Sequence, residues 1–506
     1  MHWISVRFSS LDCIELCRIQ RQGHQRAAPG IFIFRAARLL WYVSTHGTEF
    51  SRSTQPYLGR YMVMNTSLPP QDLCASSGAV ELLNQECFCL SLDQNALAHA
   101  LDSELGTAAL STMVRQRCPY LFASQPVFVA AQQIQRMAEV VRAVESVVAM
   151  PAYRELVLAG APTVAQLTST GPLGVFFGYD FHLNDGPLGL IEINTNAGGA
   201  MLNAVMARAH RACCAELGAM APTLAQIEFF EKSMVEMFRH EWLLAGRSGP
   251  LKTIAIVDSS PQDQYLYPEF LLFQQLFERH GIRAVIADPA TLDWRESALW
   301  HDDLVIDLVY NRLTDFYLEQ PTSAALREAY LHQGVVLTPH PQSHALYADK
   351  RRLALFSDAA QLESLGVPQA IQEVLLEHVP HTEVVRASDQ QRLWTARRSL
   401  FFKPVAGFGS RAAYRGDKLT RGVWQDILAG DYVAQAIVKP SDRSTGEVNL
   451  PIPMKFDLRV YAYDAKVQWV SARMYQGQTT NFRTSGGGFA PVYTTPETSG
   501  STKSAL

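Results

Sequence analysis

The chain has 506 residues, 48% of them hydrophobic and 18% charged, with a net charge of −4; this is the balance of a buried, folded protein of roughly two to four domains. Charge so close to neutral gives no electrostatic case for nucleic acid or an anionic membrane as a partner, and no uninterrupted apolar run reaches the length of a membrane span. The eight cysteines are scattered without CxxC pairs, which speaks against a zinc site or a disulfide framework and for reduced thiols in a cytoplasm.

Residues 1–61 carry eight arginines, no lysine and three acids, around an apolar patch at 31–43 that Arg35 and Arg38 interrupt. The interruption argues against a secretory h-region, while the Arg-rich, acid-poor composition also suits an organelle transit peptide. The preferred reading is a non-native extension outside the core, with the true start at Met62 or Met64, and a disordered segment is the alternative. From about residue 80 to 150 the periodicity predicts helix. The clearest stretch is an amphipathic run over 127–150 that stops at Pro151.

Residues 178–199, GYDFHLNDGPLGLIEINTNAGG, read as a β-hairpin, because apolar-rich segments flank the turn chemistry of Asn184-Asp185-Gly186-Pro187. Centring the turn on Gly186 sets Asp180 opposite Glu192. Alternate residues of a strand share a face, so Asp180 and His182 point one way, as do Glu192 and Asn194. Facing carboxylates repel unless something positive sits between them. Asp180, Glu192 and the Asn194 amide oxygen make a hard, all-oxygen set suited to Mg²⁺. A plain solvated hairpin is the competing reading. Against it, the small residues at 195–199 let a ligand approach the backbone closely.

Helices are expected at 200–220 and 223–245. Residue 251 then opens an α/β unit with strands at 253–258, 283–287, 304–310 and 334–338 and helices at 268–280 and 324–331. It lacks GxGxxG after its first strand, so it does not read as a dinucleotide site. A helix over 344–358 carries Asp349-Lys350. Residues 400–416 read as an apolar strand ending in Lys403-Pro404, followed by the turn Gly407-Phe408-Gly409-Ser410. Residues 431–438 form a strand, 455–470 and 471–478 an antiparallel pair, 479–489 a polar loop, and 494–506 an unfolded Ser/Thr tail.

Backbone amides of a turn such as 407–410 can cradle phosphates, and Lys403 adds a point charge; the same turn also closes ordinary hairpins. Lys350 alone reads as a solvated helix lysine. Taken together, however, Lys350 in ADK, Lys403 in FFKPVAGFGS, the strand DYVAQAIV, DLRV at 457–460, Arg473 and Asn481 resemble the ordered nucleotide-binding elements of the ATP-grasp superfamily. In most members a D…ExN metal sequence closes the domain. Here Asp180…Glu192-Ile193-Asn194 lies upstream of both lysines, the order found in circularly permuted ATP-grasp proteins such as eukaryotic-type glutathione synthetase. The resemblance spans about residues 170–493.

The resemblance implies an α/β and α+β chain: a circularly permuted ATP-grasp fold with an open α/β substrate-side domain and a helical N-terminal part. Its implied divisions are 1–61 outside the core, 62–250 helical with the metal hairpin, 251–345 open α/β, 346–493 nucleotide-binding, and 494–506 a tail. Lys350, Lys403, Gly407, Gly409 and Ser410 would meet ATP phosphates, and Gln435, Ala436 and Val438 the adenine. Asp180, Glu192 and Asn194 would hold Mg²⁺, with Mn²⁺ as the alternative ion. Many ligases of the family place an arginine two residues before the first metal aspartate, where this chain has Gly178. Arg312, Arg459, Arg473 or Arg483 would have to substitute, with Arg473 and Arg483 favoured as catalytic residues. Arg312 and Asn481 would face the substrate, whose selection falls to 310–317 and 473–489. The implied activity joins a small-molecule or peptide carboxylate to an amine or thiol through an acyl-phosphate, without nucleic acid or membrane, and is compatible with a homodimer. A phosphotransferase on the same scaffold and a catalytically silent nucleotide-binding protein are the alternatives.

Overall fold

The computed structural model describes residues 77–495 except 89, 107–108, 168–170, 184–187, 212–214, 408, 410 and 448–449. The expectations for 1–61, for the hairpin tip, for Ser410 and for residues beyond 495 lie outside these residues.

The amphipathic run at 127–150 is two elements. Val127–Ala130 (β1) is a strand, and the helix Ala131–Val148 (α1) follows it directly. The apolar Val127-Phe128-Val129 run merges into the helical pattern on its C-terminal side, so periodicity alone could not separate them. Phe177–His182 (β2) and Gly189–Asn194 (β3) form the expected hairpin, with Asp180 opposite Glu192 and Gly178 opposite Asn194. The register slips by one residue between Asp180 and Phe181. Past Gly199 the helix Ala200–Ala209 (α2) ends early; a short strand at His210–Arg211 and the turn of helix Ala215–Gly218 replace the rest of the expected helix. Leu224–Leu244 (α3) begins at a capping box in which Thr223 and Gln226 satisfy each other's backbone donors.

Thr253–Val257 (β4), Tyr267–Arg279 (α4), Arg283–Ala287 (β5), Leu308–Asn311 (β6), Ala324–Leu331 (α5) and Val336–Thr338 (β7) make the α/β unit, with the parallel strands in the order β7-β6-β4-β5. The expected strand at 304–310 is divided. Leu304–Ile306 joins a small antiparallel sheet, and Asp307 turns the chain into β6 while its carboxylate accepts from the Lys252 and Thr253 amides. The expected helix at 344–358 is divided too: His344–Ala348 is a π turn, Asp349 is extended, and the helix Arg351–Phe356 (α6) starts after Lys350.

Thr382–Val384 (β8), Leu400–Pro404 (β9), Tyr414–Arg415 (β10) and Tyr432–Ala436 (β11) form an antiparallel sheet in the order β8-β11-β9-β10. Ser441–Glu447 (β12), Leu450–Tyr463 (β13), Lys466–Tyr475 (β14) and Gly488–Thr495 (β15) follow. The turn between β13 and β14 is Asp464-Ala465, both at positive φ (51° and 59°), and not the expected break at 470–471. Both central residues of a type I′ turn need positive φ, and without a glycine there the turn left no sequence signature. Residues 494 and 495, expected in the tail, end β15.

The central sheet runs β1-β15-β14-β13-β2-β3, with β12 on the first half of β13. Val140, Val144 and Val147 of α1 share a core with Phe181, Leu190, Leu458 and Val460 of that sheet. Helices α2, α3 and α4 pack in a second core with Ile254, Ile256 and Tyr310. This is a mixed α/β fold in which the hairpin β2–β3 forms the edge of the central sheet. Among the described residues no helix is long and apolar enough to cross a membrane.

Candidate functional site

The β3 strand is where the two lysines meet. Lys350 sits at the break between the π turn and α6; its backbone N–H donates to the Val405 carbonyl at 3.0 Å, which fixes it beside β9. Its Nζ donates to the Gly407 carbonyl at 2.8 Å and lies 3.2 Å from Glu192 Oε1. Lys403 reaches the same strand from β9, with Nζ 2.8 Å from the Ile191 carbonyl and 2.7 Å from Gln435 Oε1. Desolvation pushes the Lys403 ammonium down to about 8, with Lys350 acting the same way and Glu192 and Asp180 opposing. Lys350 is thus a buried site residue, 5% exposed, and not the solvated helix lysine that its sequence alone suggested. Gly409 lies at φ +58° with open space around it.

At the Asp180 end the arrangement is different. Arg459 of β13 stands opposite Asp180 and grips it with both ends of its fork, Nε to Oδ1 at 2.7 Å and NH2 to Oδ2 at 2.7 Å. Arg473 NH2 lies 2.8 Å from Asp180 Oδ2, and the same guanidinium forks onto Asp457 at 2.8 Å twice. Asn194 Nδ2 adds a fourth donor at 3.1 Å. Burial would raise the Asp180 carboxyl, but attraction to Arg459 and Arg473 outweighs it and holds the group below the ordinary carboxylate range. The positive charge that facing carboxylates require is therefore present on both sides, arginines at Asp180 and Lys350 at Glu192.

These contacts decide how well the residues fit a metal. Among the described residues no group of three or more His, Cys, Asp or Glu is placed to hold one. Glu192, with its side chain 26% exposed and Lys350 as its ion-pair partner, still has a carboxylate to offer. Asn194 uses its Nδ2 on Asp180, which leaves its amide oxygen for a cation. One carboxylate plus an amide oxygen fits Mg²⁺ in sites where phosphates and water complete the shell.

Several expected residues are committed elsewhere. Gln435 cannot meet a base: it is 2% exposed, with Oε1 on Lys403 and Nε2 on Thr382 Oγ1 at 3.2 Å. The Ala436 N–H donates to the His381 carbonyl, and the Val438 carbonyl accepts from His182 Nδ1 at 2.7 Å. Asn481 is consumed by its own loop, donating to the Gln476 and Thr479 carbonyls and accepting from the Arg483 amide and Thr484. Arg483 is exposed, and its side chain makes no hydrogen bond or ion pair among the described residues. Arg312 is buried at the C-terminal end of β6, 2.9 Å from the Tyr310 hydroxyl and 3.6 Å from Glu269 Oε2. Glu269 accepts from the Gly199 and Met201 amides, closing the start of α2. Asp457 was missed as a site residue. Its two-residue spacing from Arg459 puts both on one face of β13, and that spacing was the available signal.

No family model matches the sequence, and no curated protein matches it. Solved structures do. A glutathione synthetase-like effector (GSS30) from Globodera pallida, in its apo form, is similar at 14% identity and a TM-score of 0.49, covering 79% of this chain and 96% of its own. A protein from Methylobacillus flagellatus described as a candidate gamma-glutamylcysteine synthetase is similar at 10% identity and a TM-score of 0.43, over 75% of this chain and 93% of its own. The ATP-grasp ligase PsnB, complexed with a minimal precursor, is similar at 16% identity and a TM-score of 0.28, over 48% of this chain and 76% of its own.

Proposed function

We propose that this chain is an ATP- and Mg²⁺-dependent ligase of the circularly permuted ATP-grasp type, joining a carboxylate to an amine or thiol through an acyl-phosphate and releasing ADP and phosphate. One observation carries the reading. Lys350 and Lys403, from separate elements, converge on β3, Lys350 on the Glu192 carboxylate and Lys403 on the neighbouring Ile191 carbonyl. Two ammonium groups against one carboxylate leave a surplus of positive charge in a partly desolvated place, where a polyphosphate is the fitting counter-ion.

In this reading residues 62–250 supply the hairpin, 251–345 the substrate-side α/β unit and 346–493 the nucleotide-binding part. Lys350 and Lys403 bind and orient the phosphates, and Gly407 and Gly409 form the turn beside them. Glu192 and Asn194 would hold Mg²⁺, which when bound neutralises phosphate charge and polarises the transferred group. Arg473, with Arg459 beside it, faces the charge that develops on the substrate carboxylate. Arg312 lies toward the substrate side, at the C-terminal ends of parallel strands, where open α/β sheets take ligands.

The test is a product analysis. With MgATP, a panel of carboxylic acids and an amine, the enzyme should release ADP and phosphate, and hydroxylamine should trap a hydroxamate that requires both ATP and the acid. Release of AMP and pyrophosphate would contradict the acyl-phosphate route.

A further inference from the structure

We infer that Asp180 is not a metal ligand but the anion that aligns Arg459 and Arg473, so that the guanidinium absent from position 178 is supplied across the sheet from β13. The inference rests on the ligase reading above and deepens it. The Asp180 side chain is 3% exposed. Of its two oxygens, Oδ1 accepts Arg459 Nε, and Oδ2 accepts Arg459 NH2, Arg473 NH2 and Asn194 Nδ2. A divalent ion bonded to either oxygen would sit against guanidinium groups held 2.7–2.8 Å from the same carboxylate, and like charges at that range repel strongly in a desolvated site. Glu192, across the hairpin, carries no such pair of arginines among the described residues.

Gly178 explains why the guanidinium comes from the neighbouring strand. A Cβ at 178 would lie 3.1 Å from Arg459 Nε, 3.4 Å from its Cδ and 2.6 Å from Ala197 Cβ. The missing side chain leaves room for the Arg459 side chain where it lies against β2 on its way to Asp180, directly opposite it. The two arginines keep a usable edge. Neither NH1 makes a hydrogen bond among the described residues, and the side chains stay 11% and 10% exposed. With one side of each fork fixed by Asp180 or Asp457, the NH1 edges form a preorganised donor pair for an oxyanion, the service a transferring phosphoryl group needs. Asp180 is then a positioning residue, acting through the arginines.

Mn²⁺ with ADP, followed by the electron paramagnetic resonance of free Mn²⁺, separates the roles, and inorganic phosphate added to that complex reads the arginine edge. Glu192→Gln should weaken Mn²⁺ uptake by at least about tenfold. Asp180→Asn should leave Mn²⁺ uptake at the parent value while phosphate affinity falls roughly tenfold or more, the loss of a charge-assisted contact. Should Asp180→Asn fail to fold, the double variant Asp180→Asn with Arg459→Gln leaves no unpaired buried charge, since Arg473 keeps Asp457, and the same two results are expected of it. Loss of Mn²⁺ uptake in the Asp180 variants equal to that in Glu192→Gln would overturn the inference, as would unchanged phosphate affinity. A parent protein that takes up no Mn²⁺ with ADP would overturn the ligase reading and this assignment with it.

Discussion

Around Asp180 two guanidinium groups meet two carboxylates, whereas at β3 the Glu192 carboxylate pairs with Lys350 alone and the Lys403 ammonium, held by the Ile191 carbonyl and Gln435, has no ion pair among the described residues. Both clusters lie on the same hairpin, one strand apart. The first is complete in itself: charge cancels, each carboxylate takes a bidentate fork, and burial is tolerated because every partner is in place. The second has positive charge in excess, and burial, with Lys350 acting the same way, holds the Lys403 ammonium down at about 8. A self-neutral network serves rigidity and aim. An unbalanced one is a place prepared for an anion.

The difference can be broken most severely from the lysine side. Lys403→Ala and Glu192→Gln should each lower turnover by about two to four orders of magnitude, the scale of several kcal/mol of lost charge stabilisation, measured as ADP release. Thermal unfolding should register Glu192→Gln only moderately, because that carboxylate is partly exposed even though it is the ion-pair partner of buried Lys350. Asp457→Ala should do the reverse at the other cluster. It strips Arg473 of its forked partner in a buried place and should destabilise the fold by about 3–5 kcal/mol in urea or thermal unfolding.

A pH series sharpens the contrast with a smaller effect. Lys403 is protonated in both folded and unfolded chains below about 8, where the cost of burying its charge is fully present. Between about 8 and 10.4 the unfolded chain binds the proton and the folded chain does not, so this group's contribution to stability rises with pH across that window. ATP affinity should move the opposite way, falling as pH passes 8, because the phosphates need the ammonium form. Lys403→Met should abolish both trends. The smallest effect belongs to Arg483→Ala, which should change stability by less than about 0.5 kcal/mol, as expected of an exposed side chain without a partner, and should leave ATP affinity unchanged in calorimetry.

Legibility followed the locality of each signal. The Asp180–Glu192 register was readable because the Asn184-Asp185-Gly186-Pro187 turn announces itself and a short hairpin fixes its own pairing. The Asp464-Ala465 turn carries no glycine, so the β13–β14 register that pairs Asp457 with Arg473 was hidden, and with it the second half of the arginine network. The strand β1 pairs with β15, near the opposite end of the described chain, and no local pattern encodes a partner so distant. Lys350 was readable as a residue type in a motif but not as a buried group, because the break at Asp349 that turns it inward interrupts a stretch whose composition favours continuous helix. Gln435 illustrates the opposite error. The strand was located correctly, yet its side chain faces Lys403 and Thr382, a matter of which face is covered that one sequence does not disclose.

Whether Lys350 and Lys403 form a nucleotide site is settled by calorimetric titration of MgATP into the parent chain and into Lys350→Ala, Lys403→Ala and Arg483→Ala. The parent should show one saturable site, with affinity weakened roughly tenfold or more by either lysine substitution through loss of a charge-assisted phosphate contact, and no change with Arg483→Ala. No binding to the parent, or equal binding in the parent and Lys403→Ala, would contradict a nucleotide site there.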